Sequence, residues 1–337
     1  MKSIIINASN CHQGGGKTLL DAFINGITYS EDRFIIFIDS RYIPPIIENI
    51  NITFKKINIF SRPFVSYLIK KITKPNDLLI YFGNLPPILK FDKQHVILLL
   101  SNRFYVDSIS FQGFRFKDIL KLKLEKLYFR MFIYNVNEFI VQTNTMKNLL
   151  QKNFFIKAKV RVLPFDNTIT SDNLNLNKEP NSFIYVASLI PYKNHRKLIE
   201  AWNKLKVSGI SIKLYLTIDQ DNNIKKWIKK YISNNNLNII LLENISRSEL
   251  IKIYKNCEYL IYPSYFEAYG LPLIEAVNYK LKILAADVDY CWDLINPNDY
   301  FNPHDVSSIE RCILRAINMS PQKNNILTPK DFINKIL

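Results

Sequence analysis

Residues 262–276 read Tyr262-Pro-Ser-Tyr-Phe-Glu267-Ala-Tyr-Gly270-Leu-Pro272-Leu-Ile-Glu275-Ala. The residues just before them, 258–262, are short and apolar, the signature of a buried strand, and Pro272 suits the first position of a helix. Gly270, between the two, lets the backbone approach a ligand closely. Strand, turn and helix in this order bring the free N–H groups and the positive end of a helix to the mouth of a cleft, where phosphate or sugar oxygens bind. Glu267 falls on the turn and Glu275 about one turn into the helix, so both carboxylates can enter one pocket and accept hydrogen bonds from sugar hydroxyls. Spacing alone is equally compatible with an ordinary strand–turn–helix whose Glu275 is solvated.

Outward from this stretch, short apolar runs alternate with helical patterns on both sides. In the first half, strands are expected at 3–7, 34–39, 78–82, 95–100 and 139–143, and helices at 18–29, 117–134 and 145–152. In the second half, strands are expected at 183–187, 213–218, 239–242, 258–262 and 282–285, with helices at 197–206, 224–234, 246–256 and 271–278. Such alternation implies parallel sheets covered on both faces. The Asn-, Thr- and Ser-rich stretch between the halves reads as a linker. The expected fold is therefore α/β, with two doubly wound, Rossmann-like domains at 1–168 and 183–320 facing across a cleft. The linker is placed at 169–182 and a C-terminal helix at 321–337.

Composition limits the function classes. The 337 residues are 48% hydrophobic and 22% charged, as in an ordinary folded protein rather than a disordered one. A formal charge of +16 points to an anionic partner. Cys11, Cys257, Cys291 and Cys312 form no CxxC pair and the four histidines show no ligand spacing, so neither a disulfide framework nor a zinc site is expected. The apolar runs are strand-sized, too short to cross a membrane.

The stretch Phe266-Glu267-Ala-Tyr-Gly-Leu-Pro-Leu-Ile-Glu275-Ala resembles the E-x7-E motif of the retaining family 4 glycosyltransferases, which have the two-domain GT-B fold. Other segments agree in the same order. Residues 185–201, with Lys193 and Glu200, resemble that family's Y-V-G-R-L-x-x-x-K segment; 139–143 resemble the strand before its hinge, and 300–305 its F-x-P-x-D segment. The resemblance implies that Glu267 binds the donor sugar and Glu275 the ribose hydroxyls. It implies that backbone N–H groups of Tyr269, Gly270 and Leu271 hold the sugar or diphosphate, and that Lys193 neutralises the departing diphosphate. Ser188 stands where the family usually has Arg, and a hydroxyl carries no charge. Lys193, helped by His195 or Arg196, is then expected to do more of that work. The first domain becomes the acceptor side and the second the donor side, and the C-terminal helix is expected to pack back on the first domain.

The run Gln13-Gly14-Gly15-Gly16-Lys17-Thr18 imitates a phosphate-binding P-loop, and 34–39 imitates an apolar strand ending in the metal-binding Asp39. G-x4-G-K-[ST] requires glycine where Cys11 stands. Backbone near Gly15 and Gly16 approaching the donor phosphates of a GT-B enzyme fits better, with an ATP-dependent phosphotransferase acting through Lys17 as the alternative. Two DxD triplets, Asp219-Gln-Asp221 and Asp287-Val-Asp289, read as turn acids, and no metal or other cofactor is expected.

Two basic stretches remain. One carries Lys55, Lys56, Arg62, Lys70, Lys71 and Lys74 without an acid. The other runs from Arg115 to Arg130 with Lys117, Lys121, Lys123 and Lys126 against Asp118 and Glu125. Apolar side chains interleave both, as in segments that rest on anionic lipid. No RRM, KH or zinc-finger pattern supports nucleic acid as the partner. A non-catalytic protein that binds anionic surfaces is the other alternative. The expectation is a hexosyltransferase, cytoplasmic and peripheral on the inner face of the plasma membrane. It would move sugar from a nucleotide diphosphate sugar to a lipid-linked saccharide in bacterial surface polysaccharide biosynthesis, of the lipopolysaccharide, O-antigen or capsule type. Asn102 and Arg103, just after the 95–100 strand, are its acceptor-side candidates.

Overall fold

The computed structural model describes residues 3–47, 51–165, 177–218 and 223–317. The triplet Asp219-Gln-Asp221, the expected C-terminal helix and most of the expected linker lie outside the described residues. The first half runs β1 (Ser3–Ala8), α1 (Gly14–Ile27), β2 (Arg33–Asp39), β3 (Ile52–Ile57), α2 (Val65–Ile72), β4 (Leu78–Tyr81) and β5 (His95–Leu99). It continues with α3 (Phe116–Phe132), β6 (Glu138–Val141), α4 (Asn144–Asn153) and β7 (Lys159–Val162). The second half opens with β8 (Glu179–Tyr185), α5 (His195–Val207), β9 (Lys213–Ile218), α6 (Asn223–Asn235), β10 (Ile239–Glu243) and α7 (Arg247–Asn256). It closes with β11 (Cys257–Tyr262), α8 (Leu271–Asn278), β12 (Lys282–Ala286), α9 (Asp289–Leu294), β13 (Asp299–Phe301) and α10 (Val306–Ile317).

Both sheets are parallel, in the orders β3-β2-β1-β4-β5-β6-β7 and β10-β9-β8-β11-β12-β13. Each strand order reverses once, between β1 and β4 and between β8 and β11. The crevice for a ligand opens beyond the C-terminal ends of such strands. Strand side chains alternate faces, and the two faces of the first sheet are covered differently. Ile6, Ile36 and Ile38 meet Leu19, Leu20 and Ile24 of α1. Ile5, Phe37, Leu79 and Leu98 meet Val65 and Ile69 of α2, Phe129 of α3, and Met146 and Leu150 of α4 on the other face. This two-sided burial is why β1 and β2 are continuous apolar runs rather than alternating ones.

Three differences from the sequence reading have local causes. Helix α1 starts at Gly14, so Gly14, Gly15 and Gly16 form its first turn rather than a preceding loop. Strand β8 starts at Glu179, inside the stretch read as linker, because Glu179 pairs with Cys257 at the start of β11. Strand β3 escaped notice because it is the sheet edge, where Lys55 and Lys56 break the apolar run.

The turn after β4 is closed by Asn10, whose Nδ2 donates to the Gly83 carbonyl at 2.6 Å. A Cβ at Gly83 would stand 1.7 Å from Asn10 Oδ1. Gly83→Ala should therefore lower stability by about 1–3 kcal/mol through overpacking at the first crevice, read as a fall in melting temperature.

Candidate active site

The second crevice lies between the loops that follow β8 and β11. Pro191–Lys193 form a single 3-10 turn that delivers Lys193 to it. Tyr185 OH donates to the Lys193 carbonyl at 2.6 Å, and the Tyr265 N–H donates to the Tyr192 carbonyl at 2.9 Å. Asn194 then turns the chain at φ +60° into α5. Its buried side chain donates to the carbonyls of Pro263 and Pro303 and accepts from Tyr265 OH, tying the loops after β8, β11 and β13 into one frame.

Within this frame Lys193 Nζ lies 2.5 Å from Glu267 Oε1, and Tyr262 OH donates to the same oxygen at 3.0 Å. Glu267 is buried and Lys193 nearly so, with side-chain exposures of 9% and 13%. Burial works to lower the Lys193 pKa, but the adjacent Glu267 charge and hydrogen bond outweigh it, so the ammonium is held above its ordinary range. Gly270, at φ +81°, makes the turn into α8 that an L side chain would strain. The amide groups of the first turn of α8 have no carbonyl four residues back, which leaves Gly270 and Leu271 at a donor-rich helix end.

The structure brings some expected residues together and separates others. Glu275 is buried in α8, but its partner is Arg247 at the start of α7, with Nη1 2.6 Å from Oε1. Glu267 and Glu275 are thus each matched by a different cation. Gly15 reaches the second half: a Cβ there would be 3.6 Å from Leu271 Cδ1, so the first turns of α1 and α8 face each other. Gly16 instead rests near Cys11 Sγ. The Ser188 carbonyl accepts from the Ile190 N–H at 2.8 Å, within the loop leading to Lys193. Tyr269 inserts among buried residues of the first half, and its OH donates to the Phe165 carbonyl at 3.2 Å.

Several expected residues have other partners within the chain. His195 and Arg196 do not reinforce Lys193. Burial, with the nearby Lys193 charge, pushes the His195 pKa down to about 3 and keeps the ring neutral, while Arg196 lies 5.0 Å over the Trp227 ring. Arg103 is already engaged, forked onto Asp289 at 2.8 and 2.7 Å and bonded to Asp107 at 2.8 Å. The Asn102 side chain caps the 3-10 turn that holds Arg103 by accepting from the Phe104 N–H. Lys17 pairs with Asp21 on its own helix at 2.6 Å, and Asp39 is bound by Arg41 and Arg62, so the phosphotransferase geometry is absent. In the second DxD triplet, Asp287 accepts from the Trp292 indole and Asp289 belongs to Arg103.

Two features were missed. Arg247 lies 28 residues before Glu275, and nothing in its neighbourhood marks it as a partner. The aromatic run after β5 was visible but unread. Phe104 contacts Phe266 at 5.3 Å and Tyr192 at 5.8 Å, and Phe114 stacks parallel to Tyr192, so the first half caps the Lys193 turn.

The neutral His195 has a consequence for stability. Between pH 6.5 and about 3 the unfolded chain binds a proton here that the folded chain refuses, so this residue's contribution is lost as pH falls through that window. A His195→Gln chain should show a shallower loss of urea stability over the same window than the unsubstituted chain.

Comparison with known proteins bears on the fold and on what the chain resembles. Residues 166–329 match the family described as "Glycosyl transferases group 1". The serotype-specific mannosyltransferase WbdA of Escherichia coli is 29% identical over 153 residues, 43% of this chain and 19% of that protein, so the chain spans about a fifth of that relative's length. The O-antigen chain mannosyltransferase RfbU of Salmonella typhimurium is 25% identical over 76% of this chain and 73% of its own. The crystal structure of WaaG, a glycosyltransferase involved in lipopolysaccharide biosynthesis, superposes with a TM-score of 0.71 at 14% identity, covering 94% of this chain and 91% of that one. The chain therefore has the two-domain GT-B fold, and its residues 166–329 are similar to the group 1 glycosyl transferases.

Proposed function

We propose that the chain transfers a hexosyl group, with retention, from a nucleotide diphosphate sugar to a lipid-linked saccharide in the assembly of a bacterial surface polysaccharide. The buried Lys193–Glu267 pair carries this reading, because it places a fixed cation and a hydroxyl acceptor together beside the positive end of α8. A diphosphate oxygen entering beside Nζ shares the ammonium with Glu267, and Lys193 neutralises the charge that grows as the sugar leaves. Glu267 accepts from donor-sugar hydroxyls, Glu275 from the ribose, and the turn at Tyr269, Gly270 and Leu271 presents backbone N–H groups. Ser188 offers one hydroxyl donor, and the first turn of α1 at Gly15 and Gly16 closes over the phosphates. The leaving diphosphate takes the acceptor's proton on the same face of the sugar, so the protein mainly orients and stabilises charge. No metal is assigned a part in this reading. The names of the relatives, mannosyltransferases of serotype and O-antigen chains, support the polysaccharide role and make mannose the first donor sugar to try.

Membrane placement on the inner face of the plasma membrane rests on α3. Phe116, Leu120, Leu124, Leu127 and Met131 recur at helical spacing and are all exposed, from 49% at Leu120 to 81% at Phe116. Lys117, Lys121, Lys123 and Arg130 accompany them, and exposed Phe60, Phe64 and Tyr67 stand by α2 on the same side of the sheet. An unpartnered apolar stripe among cations fits an anionic lipid surface. No helix among the described residues is long and apolar enough to cross a membrane.

Three measurements test the reading. One nucleoside diphosphate should raise the melting temperature equally with magnesium or EDTA, since a ligand at a hundredfold excess over Kd adds about 2.7 kcal/mol. Glu267→Gln should cut kcat/KM for transfer by about a hundredfold or more; near-normal turnover would refute the site. A Leu120→Asp, Leu124→Asp chain should lose about tenfold or more of its binding to anionic vesicles in a flotation assay, with its nucleotide response intact.

A further inference from the structure

A second charged cluster, at the C-terminal edge of the first sheet, has no part in the donor site. Asp39, at the end of β2, is 1% exposed. Arg41 grips it with Nε at 2.8 Å and Nη2 at 3.0 Å, and Arg62 Nη2 bonds the second oxygen from the turn before α2. His12, from the loop after β1, stands 3.4 Å from Arg41 Nη2 and 3.8 Å from Asp39. Two guanidinium groups therefore share one carboxylate and leave a net positive charge. Arg41 is 52% exposed and Arg62 27%, so the cluster is open on one side. Arg62 Nε is buried and has no hydrogen-bond partner among the described residues. An unpaired buried donor is costly to leave unmatched, which makes it a position for an incoming acceptor atom.

Its surroundings narrow the ligand. Arg62 is flanked by exposed Ile59, Phe60 and Phe64, the apolar group next to α2. On the other side, the loop carrying His12 leads directly into the first turn of α1, where Gly15 faces Leu271 of the donor half. An anion held here has an apolar surface on one side and the donor crevice on the other. Paired guanidinium forks fit the several oxygens of a phosphate better than a single carboxylate does.

We propose that Arg41 and Arg62 bind the phosphate or diphosphate ester that joins the acceptor saccharide to its lipid. Asp39 holds the two guanidinium groups in position, and the saccharide runs from this anchor along the loop after β1 to the donor crevice. The proposal rests on the lipid-linked acceptor described above and names the contact that recognises it.

The test is flotation of the full chain with phosphatidylcholine vesicles carrying either a polyprenyl diphosphate or phosphatidylglycerol at equal charge. The unsubstituted chain should bind the diphosphate vesicles about tenfold more tightly. Arg62→Lys keeps a charge beside Asp39, and Arg41→Gln leaves Arg62 in place, so neither strands the buried carboxylate. Each should remove the preference and leave binding to phosphatidylglycerol vesicles within about twofold. Absence of the preference in the unsubstituted chain, its retention in both variants, or an equal loss on both vesicles would overturn the proposal. If the membrane reading itself fails, the unsubstituted chain floats with neither vesicle. Inorganic pyrophosphate then decides, on a Lys193→Gln chain that lacks the donor-site cation. A rise in melting temperature that Arg62→Lys abolishes upholds the anion site, and no rise removes it.

Discussion

An ammonium and a carboxylate removed from water must be held in near-ideal geometry, because desolvation of the two charges otherwise outweighs their attraction. Lys193 and Glu267 meet this constraint through their neighbours. Tyr262 supplies a hydroxyl to Glu267, Tyr185 fixes the carbonyl of Lys193, and Asn194 binds the three surrounding loops. The loops after β8, β11 and β13 are thus more than connections. Their conformations are set by a buried charge pair that tolerates little displacement, and the end of the second sheet is organised around it.

The same economy of polar groups governs the contact between the halves. Thr143 OH donates to the Ala268 carbonyl at 3.2 Å, the Thr145 N–H donates to Asp293 at 2.6 Å, and Arg103 forks onto Asp289. Each of these bonds ends on the Glu267 turn or on α9 itself. The first half therefore does more than face the second crevice. It supplies donors that hold the crevice wall in place, and the aromatic side chains of Phe104 and Phe114 close its edge.

The sequence made legible whatever is local. Buried parallel strands are written as short continuous apolar runs, and the turn from Tyr262 to Gly270 announces itself through Gly270 and Pro272. Lys193 was reached by resemblance rather than by pattern. What stayed hidden depends on contacts distant in the chain. Arg103 looked like a surface cation beside a cleft because its partner Asp289 lies 186 residues away. Arg247 carries no local mark of its pairing with Glu275, and the positive φ of Asn194 is a property of the frame it joins. Helix α10 is a different case: Ile309, Cys312, Ile313 and Ala316 are buried at helical spacing and were open to the pattern reading that passed over them.

Tyr269 belongs by sequence to the second half and by burial to the first, with Leu271 and Ile274 packed against the same cluster. A side chain so embedded acts as an axle. A swing that widened the cleft would pivot about this point instead of drawing the two halves apart. Motion is then smallest at the turn between Glu267 and α8 and largest at the outer rim, where the aromatic edge meets the start of α3. A swing about this point would leave the Lys193–Glu267 geometry in place while the aromatic edge parts.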